Sequence, residues 1–329
     1  MTLVRIVKDW DLPDLMRQTP DRSGVWGDII FTLEPVERCD YLIILNHARQ
    51  GETVRVNCPP RNVWAIMQEP PNEVLKQMHK GIEQYSRIYT PDVDLKGKRY
   101  IHSQTALPWH VNRDYDFLVG CGVPHKGREL SWITSSLTHW KGHRARMGFL
   151  RRIRDEIEFD LFGRGFVHTF DKWDGLAPYR YSLAVENFQT PHYWTEKIAD
   201  CYLSWTMPIY YGSTRITEYF PVESVVCIDI NDAVAAIEKI RETIASNCWQ
   251  KNLDAIAHAR RLVLNKYQLF PFVAEEIKKH QRRVHFYSNR SRIVKFDGYN
   301  RILPANEREN RRSLLQIING WLKGSANNS

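Results

Sequence analysis

Hydrophobic residues along this chain come in short solid blocks, each stopped by proline, glycine or a polar corner. "VRIV" (4–7) and "DYLIILN" (40–46) are apolar runs too short for helices, and their pattern predicts buried strands. "NVWAIMQEPP" (62–71) is another such run, ended by a double proline, and "SRIYTPD" (86–92) repeats the logic around Ile88. Polar, helix-length stretches separate the blocks, as in parallel βαβ units. "GCGVPHKGREL" (120–130) gathers three glycines and a proline and reads as a linker. Strand-like blocks then resume with "LSWITSS" (130–136), "FDLFGRGF" (159–166), "YRYSLAVEN" (179–187), "TMPIYYG" (206–212) and "ESVVCIDIND" (223–232). Helical spacing runs through "HRARMGFLRRIRDEI" (143–157), "DAVAAIEKIRETI" (232–244) and "LDAIAHARRLVL" (253–264).

The second half therefore reads β-α-β-β-α-β-α-α, a Rossmann-like unit, and the first half reads similarly. The predicted architecture is α/β, with two Rossmann-like domains facing across a cleft. The expected division is 1–124, 125–290 and a tail, 291–329. A chain of 329 residues is long enough for two cores. No apolar run reaches about 18 residues, and Met1–Trp10 does not read as a signal peptide, so a soluble cytoplasmic protein is expected. The six scattered cysteines form no CxxC pair, which fits a reducing compartment and no structural zinc.

Net charge changes the picture only at the end of the chain. Residues 1–125 hold 15 Lys/Arg against 16 Asp/Glu, and residues 126–277 hold 19 of each. Residues 278–329 hold 12 basic residues against 3 acidic ones. A nucleic-acid-binding body is thus excluded, because the folded part carries no basic stripe. The tail places Leu314, Leu315, Ile317, Ile318, Trp321 and Leu322 behind a basic run. Such a segment either lies on an anionic membrane surface or crosses back to cover the first domain.

The chemistry concentrates in "AVENFQTPHYWTEKIADCYLSWTMPIYYG" (184–212), where an apolar β-α-β stretch carries polar groups at both turns. Thr195 is placed to cap a helix, whose free amides and half positive charge favour an anion. Lys197 in the first turn disagrees with that helix start, and a phosphate would resolve the conflict. Glu196 fits if it faces sideways, towards hydroxyls such as those of a ribose. Asn187 and Tyr193 can add hydrogen bonds from the facing loop. A plain capped surface helix reads the same residues equally well.

Over roughly residues 131–230 the sequence resembles glycosyltransferase family 10, the α1,3/4-fucosyltransferases. That family carries a pattern like FEN, a spacer, Y-[VI]-TEK, a helix, P-[IV]-x-x-G and a later F-x-P-x-S-[FV]. This chain has Glu186-Asn187, Tyr193, Thr195-Glu196-Lys197, Pro208, Gly212, Phe220-Pro221 and Ser224 in matching order. Val185, Phe188 and Trp194 depart from the usual residues, while the polar set is intact. The resemblance implies a GT-B fold and transfer of L-fucose from GDP-β-L-fucose to a glycan hydroxyl, with inversion. The acceptor it implies is an N-acetylglucosamine-containing glycan fucosylated at O3, which in bacterial members is lipid-linked or part of lipopolysaccharide.

The resemblance puts Asn187, Tyr193, Glu196 and Lys197 at donor-binding positions. It adds an arginine on the diphosphate, for which Arg146 is the best match and Arg144 the alternate. Inversion needs a general base, and a carboxylate is ionised at neutral pH. The family draws that base from the first domain, in a context like F-E-S-P after a buried strand. "WAIMQEPPNE" is similar, so the implied base is Glu69, with Glu73 as alternate. The expected partners are a nucleotide sugar, a glycan and, through the tail, the inner membrane face. No nucleic acid and no essential metal or other cofactor is expected. "DVD" (92–94) and "DYD" (114–116) are read as ordinary loop acids.

Overall fold

The solid apolar blocks form strands because each buries side chains on both faces of a parallel sheet. The computed structural model describes residues 1–49, 51–71, 82–283 and 291–297. Eight strands lie before residue 103: β1 (Thr2–Val7), β2 (Val25–Trp26), β3 (Ile29–Thr32), β4 (Tyr41–Leu45), β5 (Thr53–Cys58), β6 (Val63–Ile66), β7 (Arg87–Thr90) and β8 (Tyr100–His102). Seven of them make one sheet, ordered β2-β3-β1-β4-β6-β7-β8, parallel except for β2 against β3. The second sheet takes β9 (Arg128–Ile133), β10 (Asp160–Phe162), β11 (Tyr179–Val185), β12 (Met207–Tyr211) and β13 (Val226–Cys227). Its order is β10-β9-β11-β12-β13, all parallel.

Alternate residues of one strand serve opposite cores. In β4, Tyr41, Ile43 and Leu45 join one apolar cluster, and Leu42 and Ile44 join another. The first of these clusters contains Leu269, Phe270, Val273, Ala274 and Ile277 of the helix Leu269–Arg283. That helix follows the second domain in the chain but covers the first sheet. Tyr41 and Tyr89 of the sheet bond its His280 and Glu276. Burial of that apolar face, at about 1.5–3 kcal/mol per large side chain, packs residues 269–283 against the first sheet, although they lie within the span 125–290 expected for the second domain. The crossing back that was one reading of the tail is made by this helix.

Residues Arg292–Asp297 form β14, an antiparallel partner of β5, and Phe296 stacks on Tyr85. The amphipathic segment 314–322 lies outside the described residues, as does Glu73. Among the described residues no helix is long and apolar enough to cross a membrane.

Two short bonds join the domains at the carboxyl ends of their strands, where ligands of open α/β sheets sit. The Thr105 hydroxyl donates to the Trp194 carbonyl at 2.8 Å, and the Thr190 hydroxyl to the Pro91 carbonyl at 3.4 Å. On the far side, the helix Leu253–Leu262 passes through a π-helical turn, Val263–Tyr267, before Leu269–Arg283 begins.

Candidate active site

β11 ends by turning a carboxylate under the next helix. Glu186 is fully buried. Its Oε1 accepts from the Thr195 backbone N–H at 2.9 Å and from the Thr195 hydroxyl at 2.7 Å. Its Oε2 lies 2.9 Å from Lys197 Nζ. Thr195 caps the helix Glu196–Leu203, its hydroxyl oxygen accepting from Lys197 N at 3.4 Å and Lys197 Nζ at 3.0 Å. Gly212 ends "PIYYG" for a steric reason: a Cβ there would sit 2.6 Å from Glu186 Cγ and 2.3 Å from the Tyr210 hydroxyl.

Lys197 conflicts with the positive end of its helix, and the sequence suggested that a phosphate settles the conflict. In the structure Lys197 has one counter-ion already, the buried Glu186 carboxylate.

Glu196 stands beside this pair. Its Oε1 is 3.4 Å from Lys172 Nζ, 3.6 Å from Lys197 Nζ and 3.8 Å from His110 Nδ1. Burial raises its pKa, but Lys197, Lys172 and His110 together prevail and hold it well below the usual carboxylate range. Glu196 is therefore ionised, an acceptor suited to hydroxyl groups. One turn on, Asp200 accepts the backbone N–H groups of His110 and Val111 at 2.8 and 3.3 Å, and its other oxygen lies 3.2 Å from Lys172. The donor-side helix is thus fastened to the segment leading in from the first domain.

Arg146 lies on the helix Lys141–Ile153 and is 4% exposed. Its Nη2 donates to the Ser135 hydroxyl at 3.1 Å, while Nε is buried without a hydrogen-bond partner. Among the described residues no carboxylate lies within ion-pair distance of it. Burial lowers its pKa, and the charges of Glu186 and Glu196 act in the other direction, so it faces the same corner. Arg144 does not share that corner; it donates to the Thr138 and His139 carbonyls at 3.2 and 2.9 Å.

Asn187 and Tyr193 close the corner. The Tyr193 hydroxyl donates to Asn187 Oδ1 at 3.2 Å, and Asn187 Nδ2 lies 3.3 Å from His143 Nε2. Burial, then Glu186, Glu69 and Glu196, push the Tyr193 phenol well above its ordinary value, so it stays protonated. Glu69, which follows β6 in the first domain, is one of the charges that act on Tyr193. The loop carrying Glu69 is fixed by Gln68, whose backbone N–H donates to Asn46 Oδ1 at 2.7 Å and whose Nε2 donates to the Ala106 carbonyl at 3.3 Å.

Residues 123–247 match the profile described as glycosyltransferase family 10 (fucosyltransferase), C-terminal. The match spans most of the second domain and is a likeness to that family. Rat alpha-(1,3)-fucosyltransferase 4 is 25% identical over 221 residues, 61% of this chain and 48% of that protein. Its bovine counterpart is 24% identical over 242 residues, 68% of this chain and 56% of that protein. The chain spans about half the length of these curated relatives. Among solved structures, an alpha-glucosyltransferase in complex with UDP and a 13-mer DNA superposes with a TM-score of 0.52 at 11% identity, covering 85% of this chain and 99% of that one. That likeness concerns the fold, which is GT-B.

Within the matched region the structure holds Asn187, Tyr193, Glu196 and Lys197 around one corner, and the charges of Glu186 and Glu196 act on Arg146 there. Sequence reasoning missed Lys172, Asp200, His110 and His143. Asp200 had a signal: it is a lone acid in the apolar run "IADCYL", one helical turn from Glu196. Gly142 carries no such signal; in the structure a Cβ there would lie 1.6 Å from the Asn187 carbonyl oxygen, so the helix start presses on the strand end. The acids of both DxD-like triplets serve turns and caps: Asp92 Oδ1 accepts from Asp94 N, Asp114 caps the helix Tyr115–Gly120, and Asp116 accepts from Asp21 N.

Proposed function

We propose that this chain transfers L-fucose from GDP-β-L-fucose to O3 of an N-acetylglucosamine-containing glycan, with inversion at the anomeric carbon. The observation that carries the reading is Arg146, a buried guanidinium with no carboxylate of the described residues within ion-pair distance, in the region that matches family 10. A diphosphate is the counter-ion that such a group takes, gripped through two hydrogen bonds. By neutralising Glu186, Lys197 keeps a buried carboxylate from repelling that diphosphate. Glu196 receives hydroxyls of the ribose or sugar, and Asn187 and Tyr193 orient them.

The step is a single displacement. Glu69 takes the proton of the acceptor hydroxyl as its oxygen bonds to the anomeric carbon. The bond from that carbon to the β-phosphate oxygen breaks, and its electron pair leaves with GDP. Arg146 and the helix-start amides stabilise the charge that builds on the phosphate. No metal is assigned a part.

A panel of GDP-, UDP- and ADP-sugars tests the donor. GDP-fucose at a hundred times its Kd raises the melting temperature by about 5 °C. With N-acetyllactosamine added, GDP is released at the same rate in excess EDTA. Stabilisation by UDP-sugars without GDP-sugars overturns the donor, and loss of turnover in chelator overturns the metal-free step.

The basic tail completes the proposal as a contact of a cytoplasmic enzyme with an anionic membrane face. Full-length protein pellets with phosphatidylglycerol vesicles, and a chain ending at Asp297, which keeps β14, does not. Equal pelleting of both removes the membrane from the reading.

A further inference from the structure

We propose that His143 is a positioning residue for the donor site, its neutral imidazole accepting a hydrogen bond at Nε2 and so fixing which way the Asn187 amide faces Tyr193. The inference rests on the reading of Asn187 and Tyr193 as donor-binding residues.

The argument is one of donors and acceptors. An amide has one accepting end and one donating end. The Tyr193 hydroxyl donates to Asn187 Oδ1, so the end that meets His143 at 3.3 Å is the donating Nδ2. His143 Nε2 must then offer a lone pair, and the ring proton sits on Nδ1. His143 Nδ1 is buried and has no hydrogen-bond partner, so nothing on that side competes for the tautomer. Asn187 alone decides it.

The surroundings keep the ring neutral. Burial disfavours its charge first, and then Arg146 on the same helix, His139 just before that helix and Lys197 on the facing helix do the same. The imidazole pKa is lowered to about 4. A protonated ring would turn an N–H against the Asn187 NH2 group. The amide would then have to flip, and the Tyr193 hydroxyl proton would have to leave Asn187. The corner holding this relay is rigid, because Gly142 lets the helix start touch the Asn187 backbone where any side chain would clash.

Two measurements decide it. In full-length protein with 15N-labelled histidine, long-range 1H–15N spectra at pH 7 give His143 as the Nδ1–H tautomer; an Nε2–H tautomer overturns the relay. In kinetics, His143→Ala raises the donor KM about tenfold, the weight of one net hydrogen bond, and leaves kcat and the acceptor KM within about threefold. His143→Gln supplies an amide oxygen that can accept the same bond. It restores the donor KM to within about threefold and removes the loss of donor affinity that the parent shows as pH falls towards 4. If His143→Ala leaves the donor KM unchanged, or His143→Gln fails as badly with an unaltered melting temperature, His143 positions nothing. A parent protein that neither binds GDP nor releases it from GDP-fucose refutes the fucosyl reading, while the tautomer still judges the relay.

Discussion

Glu69→Gln leaves GDP binding as it was and lowers fucosyl transfer by about a thousandfold. The amide has the shape of the carboxylate and still holds a hydroxyl by a hydrogen bond, but it cannot take the proton. A positioned general base contributes roughly 10²- to 10⁴-fold, which sets the size of the loss. Nucleotide binding should survive because Glu69 follows β6 in the first domain, whereas Arg146, Glu196 and Lys197 all belong to the second. The two readouts are separable: thermal shift with GDP reports the donor corner, and GDP release in the presence of acceptor reports the step. A Glu69→Gln protein that releases GDP at the parent rate would move the base elsewhere. One that no longer binds GDP would mean that Glu69 supports the donor corner itself, through the field it exerts on Tyr193.

The strands were legible because burial on both faces leaves only one readable pattern, the solid apolar block; β4, all five of whose residues are buried, is the plainest case. The clustering of the candidate residues from Glu186 to Lys197 was legible because they lie within one short β-α turn, where chain neighbours are also neighbours in space. What sequence concealed is what long-range contact decides. The helix Leu269–Arg283 has an apolar face that either sheet could bury, and periodicity does not say which. β14 pairs with β5 from the other end of the chain, a contact no local pattern announces. Lys172 and His110 reach Glu196 from loops with nothing unusual in them. Lys197 shows the same limit. Its disagreement with the helix start is visible in sequence, but the group that answers it, a carboxylate folded beneath the helix, is visible only in three dimensions.

Glu186→Ala is expected to lower the melting temperature by about 10 °C. Removing one partner of a buried ion pair costs about 3–5 kcal/mol, and each kcal/mol corresponds to roughly 2–4 °C in a chain of this class. Three groups lose their acceptor together: the Thr195 backbone N–H, the Thr195 hydroxyl and Lys197 Nζ. The first two are buried and would be left with desolvation unrelieved. Lys197 would keep only its longer ion-pair contact, with Glu196 at 3.6 Å, while charged at the positive end of a helix, the position that electrostatics disfavours most. A double-mutant cycle separates these effects. Lys197→Met in the Glu186→Ala background removes the stranded charge and should recover several degrees, while the unmet Thr195 groups keep the double variant below the parent. Lys197→Met alone should also destabilise, because it leaves the Glu186 charge buried with only Thr195 to hold it. If Glu186→Ala melts within about 2 °C of the parent, the carboxylate is not the keystone of the turn. If the double variant is no more stable than Glu186→Ala, the uncompensated lysine is not the source of the loss. In either of those results Lys197 is freer than the geometry makes it, and its direct contact with a phosphate regains its force.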